Sequence, residues 1–332
     1  MKRLRFLMLA AAVSAVLALS FTSCASVPSP YEDDYFQPSS TEAALLGAIT
    51  SATQSAEKAA EEINPDEEYY IGRSVAATIA STYPVDQGSY SMTTYLNKIC
   101  ETLVMNSDKP YLYKGYYVVI LDTDEINAMA TPGGHIFVSR GLIDCTNSED
   151  ALAAVLAHEI SHIQLGHSVT AIKASRTRAA MSDAGKLAVM GTLAAANTYS
   201  GFYGVKLSDK EMKEVMKAVD TISNASNEVV KTLVNTGFSK TQEFDADKNA
   251  LILMNNAGYD PYAMLDMLEQ LEDSPSNSGW GSTHPSPKER IKKVEKQLEK
   301  MEKSHYFSET GRKVRTERFE TEYEDYKIFE ID

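Results

Sequence analysis

The segment AHEISHIQLGH, residues 157–167, carries three of the chain's six histidines. His158 and His162 stand four apart, so on a helix their rings leave the same face and can grip one ion. Glu159 lies between them in sequence, where a carboxylate can reach a water on that ion. This is the HExxH pattern of a metal-dependent hydrolase, with His158 and His162 as ligands and Glu159 as general base. Two ligands are too few for Zn2+, which in a catalytic site takes three from the protein and leaves a fourth position open.

The nearby His167 is out of register for the third. A metzincin places glycine seven residues and histidine ten residues after its first ligand, and those positions here are Leu165 and Ser168. Gly166 instead reads as the end of the helix, with His167 as a cation at its C-terminus or a group behind the ligands. A better candidate lies in SKTQEFDADKNALILMNNAG, residues 239–258, which reads as a helix closed near Gly258. It places Glu243 and Asp247 four apart. Glu243 completes a His-His-Glu set, while Asp247 can accept the free ring N–H of a liganding histidine and fix its tautomer. Phe244, Ala246, Ala250, Leu251 and Leu253 surround the pair, and carboxylates drawn inward among apolar residues need a partner.

Several elements must position these groups. Asn147 or Ser148 can cap the HExxH helix, Glu149 and Asp150 suit its dipole, and Leu152, Val155, Leu156, Ile160 and Ile163 form its apolar stripe. YYVVILD (116–122) and HIFVSRG (135–141) read as strands, and between them Pro132-Gly133-Gly134 signals a turn. Upstream the pattern is helical from about Thr41 to Ala80, broken at NPDEE, where Asn64 can cap a helix that begins at Pro65 and runs on toward Pro84. Another helix is expected through SMTTYLNKICETLVM, with Tyr95, Leu96, Ile99, Cys100 and Leu103 on one face. Downstream, helix is expected to dominate from Ser148 to about Asn256. Within it, the apolar but interrupted stretch 184–204 reads as a buried helix or lid rather than a segment dipping into a membrane. Residues 272–287 read as a loop, and KERIKKVEKQLEKMEK as a charged surface helix. The tail from His305 has some strand-like alternation and is left unassigned.

The chain has 332 residues and a formal net charge of −14. Lys2, Arg3 and Arg5 precede a nearly apolar run from Phe6 to Phe21, which is shorter than the roughly 20 residues a spanning helix needs. Residues 1–23 therefore read as a secretory signal peptide. FTSC resembles a bacterial lipobox, although Phe21 stands where leucine is usual, and it implies cleavage before Cys24 and acylation of its thiol. Residues 24–40 then form the lipidated cysteine and a flexible tether, 41–304 the main domain, and 305–332 a tail. Loss of the leader removes three cations and leaves the chain more acidic still. That charge argues against nucleic-acid binding, as does the lack of a basic patch interleaved with aromatics before the C-terminal region. Cys100 and Cys145 can pair in an exported protein or stay as two separate buried thiols.

Three further segments accompany the metal motif: INAMATPGGHIFVSRGLI before it, FSKTQEFDAD around Glu243, and STHPSPKERI downstream. Together with IGRSVAATIASTYP they resemble the HtpX/BepA-like zinc metallopeptidases, the family that includes the CAAX prenyl protease, over about residues 65–300. Lys240 stands where that family usually has arginine. The resemblance implies an α+β, mostly helical zincin-type (gluzincin) domain with a small β-sheet and an HExxH active-site helix. It also implies one Zn2+ per chain on His158, His162 and Glu243. The NAMAT region would lie along the cleft as an edge strand that pairs with an extended substrate. His284 would stabilise the oxyanion of the reaction or swing onto the zinc as an inhibitory fourth ligand; the residues alone equally allow a surface-loop histidine.

These readings favour a lipid-anchored endopeptidase of the bacterial envelope, exposed to the periplasm and acting on unfolded or misassembled proteins. The alternative is a lipid-anchored chaperone or assembly factor whose proteolysis is suppressed or incidental. A purely structural zinc protein is disfavoured, since structural sites usually close the fourth position.

Overall fold

The computed structural model describes residues 40–174, 176–177, 180–181, 237–273, 284, 287–301 and 309–329. The expected leader, Cys24, nearly all of the tether and the apolar 184–204 stretch lie outside these residues. The chain divides into two compact units, Met1–Ala60 with Arg176–Ala225, and Glu61–Ser175 with Ser226–Asp332. In the first, α1 (Ser40–Ala60) is an alanine-rich helix. All that follows concerns the second.

Helix α2 (Pro65–Thr82) starts as its sequence dictates: the Asn64 side chain accepts from the Glu67 N–H at 3.0 Å, and Pro65 fills the first helical position, where no N–H is needed. In α3 (Tyr90–Met105) the buried face is Met92, Tyr95, Leu96, Ile99, Cys100, Leu103 and Val104. Strands β1 (Tyr117–Leu121), β2 (Ala128–Ala130) and β3 (His135–Ser139) form one sheet in the order β1-β3-β2. β1 runs parallel to β3 with Tyr117 opposite His135, and β2 runs antiparallel with Met129 opposite Phe137. β2 is thus an edge strand of this sheet.

Alternation along the strands divides the sheet's two faces. Val118, Ile120, Ala128, Ala130, Ile136 and Val138 point into the main core. Leu121, Met129 and Phe137 meet Val75, Ala76 and Ile79 of α2 on the other side. After β3 come the short α4 (Arg140–Cys145) and then α5 (Glu149–Gln164), whose sixteen residues are all buried. Ala151, Ala153, Ala154 and Ala157 let neighbours approach α5 closely, and a helix surrounded in this way belongs at the centre of a core. Ser148 caps it by accepting from the Ala151 N–H at 3.1 Å. Leu165 and Gly166, the latter at φ +67°, end it, and helix resumes over 167–174.

Around α5 pack α3, α6 (Lys240–Ala257), α7 (Ala263–Asp273) and α9 (Glu309–Phe329), while α8 (Pro287–Met301) lies on α6 and α7. From Glu309 the tail, unassigned from the sequence, is the 21-residue helix α9, which buries Phe319 and Tyr326 against the main core. The segment read as a charged surface helix is amphipathic: Arg290, Val294 and Leu298, each one turn after the last, are buried. Cys100 and Cys145 are free thiols, so the disulfide alternative falls. Burial pushes the Cys100 thiol up to about 12. No helix among the described residues is long and apolar enough to cross a membrane.

Candidate metal centre

The centre is assembled where the middle of α5 meets the first turns of α6. Ser239 and Gln242 form a capping box that fixes the start of α6, so Glu243 falls at the end of its first turn and Asp247 one turn later. On α5, His158 and His162 share one face. All four side chains are at most 2% exposed.

Both histidines turn their Nε2 atoms toward Glu243, at 3.5 Å from its Oε2 (His158) and its Oε1 (His162). The two Nε2 atoms are 3.0 Å apart. His284 enters the same space, its Nδ1 2.8 Å from Glu243 Oε2 and its Nε2 4.0 Å from Glu159 Oε1. Its burial, at 8% exposed, removes the surface-loop reading. One ligand atom from each of His158, His162, Glu243 and His284 lies within 4.8 Å of every other.

Partners behind the rings fix which nitrogen faces inward. His158 Nδ1 lies 3.0 Å from Asp247 Oδ1, so its N–H donates there and its Nε2 is the atom turned toward the centre. His162 Nδ1 meets His167 Nδ1 at 3.0 Å. His167 is therefore a group behind a candidate ligand, and burial lowers its pKa, which contradicts a role as a helix-end cation. Phe238 stacks on the open face of His162, with ring centres 4.2 Å apart.

Three tests ask whether these residues suit a divalent cation. Glu159 Oε1 and Glu243 Oε1 are buried with no hydrogen-bond partner among the described residues, an arrangement that is costly unless something else satisfies them. Among the described residues, three buried carboxyl groups (Glu159, Glu243, Asp247) gather about one buried guanidinium (Arg290), an excess of acidic groups that a divalent ion would offset. Two or three imidazoles with one carboxylate are donors of the kind zinc takes. The residues fit.

The electrostatics agree. Burial would raise the pKa of Glu243, yet His284 and His158 beside it hold its carboxyl well below the usual range. Burial likewise works against ionised Asp247, but Arg290 and His158 bring it down to about 2. Among the described residues Glu159 has no such hydrogen-bonded cation, and burial raises its pKa. A carboxylate made more basic in this way is suited to taking a proton.

A narrow cleft runs beside the centre, lined by Ala128, Met129, Ala130, Glu159, Gly237, Phe238 and His284. Its free volume is about 10 Å3, about the room of one water. The edge strand β2 forms one wall, where the NAMAT region was expected.

Arg290 escaped the sequence reading. Its guanidinium is fully buried, with Nε 2.9 Å from Asp247 Oδ2 and Nη2 2.6 Å from Asp247 Oδ1. The signal was present, since Arg290 stands in the stripe it shares with Val294 and Leu298, a cation where an apolar residue belongs. Phe238 gave no comparable signal.

Several known proteins are similar to this chain in sequence. It is 31% identical over 219 residues to the mitochondrial metalloendopeptidase OMA1 of Schizosaccharomyces pombe, covering 63% of this chain and 54% of that protein. It is 26% identical over 254 residues to the β-barrel assembly-enhancing protease of Yersinia pestis, covering 70% and 46% respectively. With the metalloprotease YcaL of Escherichia coli K12 it shares 26% identity over 202 residues, 60% of this chain and 67% of that one. The chain thus spans about half the length of the first two relatives. The sequence pattern of peptidase family M48 matches residues 91–298, from the start of α3 through nearly all of α8. With that match and the buried His-His-Glu cluster in view, the chain belongs to peptidase family M48.

Proposed function

We propose that this chain is a zinc-dependent endopeptidase, held to the bacterial envelope through lipidated Cys24, that cleaves unfolded or misassembled envelope proteins. The observation that carries the reading is the buried meeting of His158, His162 and Glu243 with Glu159 beside them. His158, His162 and Glu243 would hold the zinc, which when bound would supply Lewis-acid polarisation of a substrate carbonyl and lower the pKa of water to about 7. Glu159 takes the proton released from water at a carboxylate oxygen and delivers it to the nitrogen of the departing amine. Asp247 holds the N–H of His158 and keeps its other nitrogen free for the ion. The outer edge of β2 can bind an extended chain through backbone hydrogen bonds, which read little sequence and suit varied unfolded clients. The name of the Yersinia relative, a β-barrel assembly-enhancing protease, supports a client in the envelope.

The test is Glu159→Gln in the full chain. It should keep one zinc per chain and lose casein hydrolysis by at least about 100-fold; retained hydrolysis removes Glu159 from the base role. Glu243→Ala should lower zinc content, and an unchanged stoichiometry excludes it as a ligand.

The cleft favours a second reading, an assembly factor with suppressed proteolysis. Phe238 lies against His162, and His284 is bonded to Glu243 where a substrate group would approach. His284→Ala discriminates: faster casein cleavage marks His284 as an inhibitory ligand, slower cleavage as an oxyanion donor. An assembly factor would also survive Glu159→Gln in complementation.

A further inference from the structure

We propose that Arg290 is a positioning residue of the metal centre, acting through Asp247 to hold the imidazole of His158 in its metal-binding tautomer. The inference rests on the proposed function, since it takes His158 as a ligand.

Asp247 can orient His158 only if its own carboxylate cannot turn. Arg290 removes that freedom. Its Nε and Nη2 make two parallel bonds to the two oxygens of Asp247, at 2.9 and 2.6 Å, a geometry that fixes the carboxylate plane. Oδ1 is left 3.0 Å from His158 Nδ1. Nη2 of Arg290 itself stands 3.2 Å from the same ring nitrogen.

That contact makes the arrangement informative. Guanidinium can only donate. Were Asp247 turned away, Arg290 Nη2 would donate to His158 Nδ1, and the ring proton would move to Nε2, the atom facing Glu243. The ring could then bind no metal. With Asp247 held in plane, Nδ1 keeps its hydrogen and donates to Oδ1. The clamp therefore selects between two tautomers, of which one ligates. Arg290 reaches this position from α8, three residues into a helix begun by Pro287, while Asp247 comes from α6 and His158 from α5. Tertiary packing of three helices sets the state of one ring. A lysine, a single ammonium without the planar fork, would keep the charge but lose the two-point hold.

The experiment measures zinc affinity of the full chain by chelator competition at fixed pH for wild type, Arg290→Lys, Asp247→Asn and the double variant Arg290→Met/Asp247→Asn. Arg290→Lys should bind zinc about 10- to 100-fold more weakly, and its cobalt(II)-loaded form should show shifted visible absorption bands, a readout independent of activity. The double variant loses one buried charge of each sign, so it keeps the charge balance and provides the test even if Arg290→Lys fails to fold. Because Arg290 acts through Asp247, the double variant should bind no more weakly than Asp247→Asn alone. Wild-type affinity and spectrum in Arg290→Lys, or a further 10- to 100-fold loss from Asp247→Asn to the double variant, overturns the clamp. A wild-type chain that takes up no zinc overturns the metal centre itself, a distinguishable failure.

Discussion

At the scale of the residue, the two histidines of α5 are held by unlike partners. His158 has a carboxylate backed by a guanidinium, while His162 has the neutral ring of His167 at 3.0 Å. An uncharged partner orients a ring but raises its basicity less than an anion does. Replacing His167 by Ala should therefore weaken zinc binding by about tenfold, toward the low end of the range for such partners. Chelator competition checks this, and unchanged affinity would mean that Phe238 stacking alone fixes His162. Spacing made His158, Glu159, His162, Glu243 and Asp247 legible, because four residues on a helix bring side chains to one face. It left Arg290 hidden, because a basic residue in a lysine-rich segment looks solvated until the neighbouring helix is known.

At the scale of the element, two contacts decide whether the centre is presented correctly. The first lies between α2 and the turn after β2. A Cβ on Gly72 would fall 1.6 Å from the Pro132 carbonyl oxygen, so only glycine allows this approach. Gly72→Ala should push the turn away and shift β2, the wall of the cleft. The expected result is a stability loss of about 1–3 kcal/mol with a fall in kcat/KM at unchanged zinc content. An equal kcat/KM would show that β2 does not meet substrate.

The second contact is α9 on the N-terminal turn of α5. Glu149 is fully buried; Tyr95 donates to it at 2.8 Å and Arg318 makes a two-point pair with it. Arg315 lies 2.8 Å from Asp150, and the Asp260 N–H donates to the same carboxylate. The family match stops at residue 298, yet α9 neutralises the acids that open the active-site helix. Removing one partner of a buried pair usually costs about 3–5 kcal/mol. Arg318 is 48% exposed, so solvent screening reduces the expectation for Arg318→Ala to about 2 kcal/mol. A urea midpoint unchanged from wild type would show that Tyr95 alone satisfies Glu149.

At the scale of the whole molecule, stability should depend on pH below neutrality through His135. This residue opens β3, stacked on Tyr69 at 5.4 Å, and burial lowers its pKa from 6.5. As pH falls below 6.5 the unfolded chain takes up a proton that the folded chain resists, so stability declines with acidification. His135→Gln should flatten the urea-midpoint profile between pH 7.5 and 5.5; identical profiles would assign the loss to another group.

Legible from the residues alone were the ligand types, the helix that carries them, the caps at Asn64, Ser148 and Gly258, and the strands on either side of a Pro-Gly-Gly turn. These follow from spacing, from backbone hydrogen bonds at helix ends and from glycine's access to positive φ, all local in range. Tertiary structure alone decided which buried charges meet. Arg290 reached Asp247, Arg318 reached Glu149, and His284 came to rest on Glu243, each across more than forty residues of chain. The tail became helical for a related reason. Its apolar residues are too few to reveal a face in a charged sequence, and only docking of Phe319 and Tyr326 beside α3 and α5 selected that form.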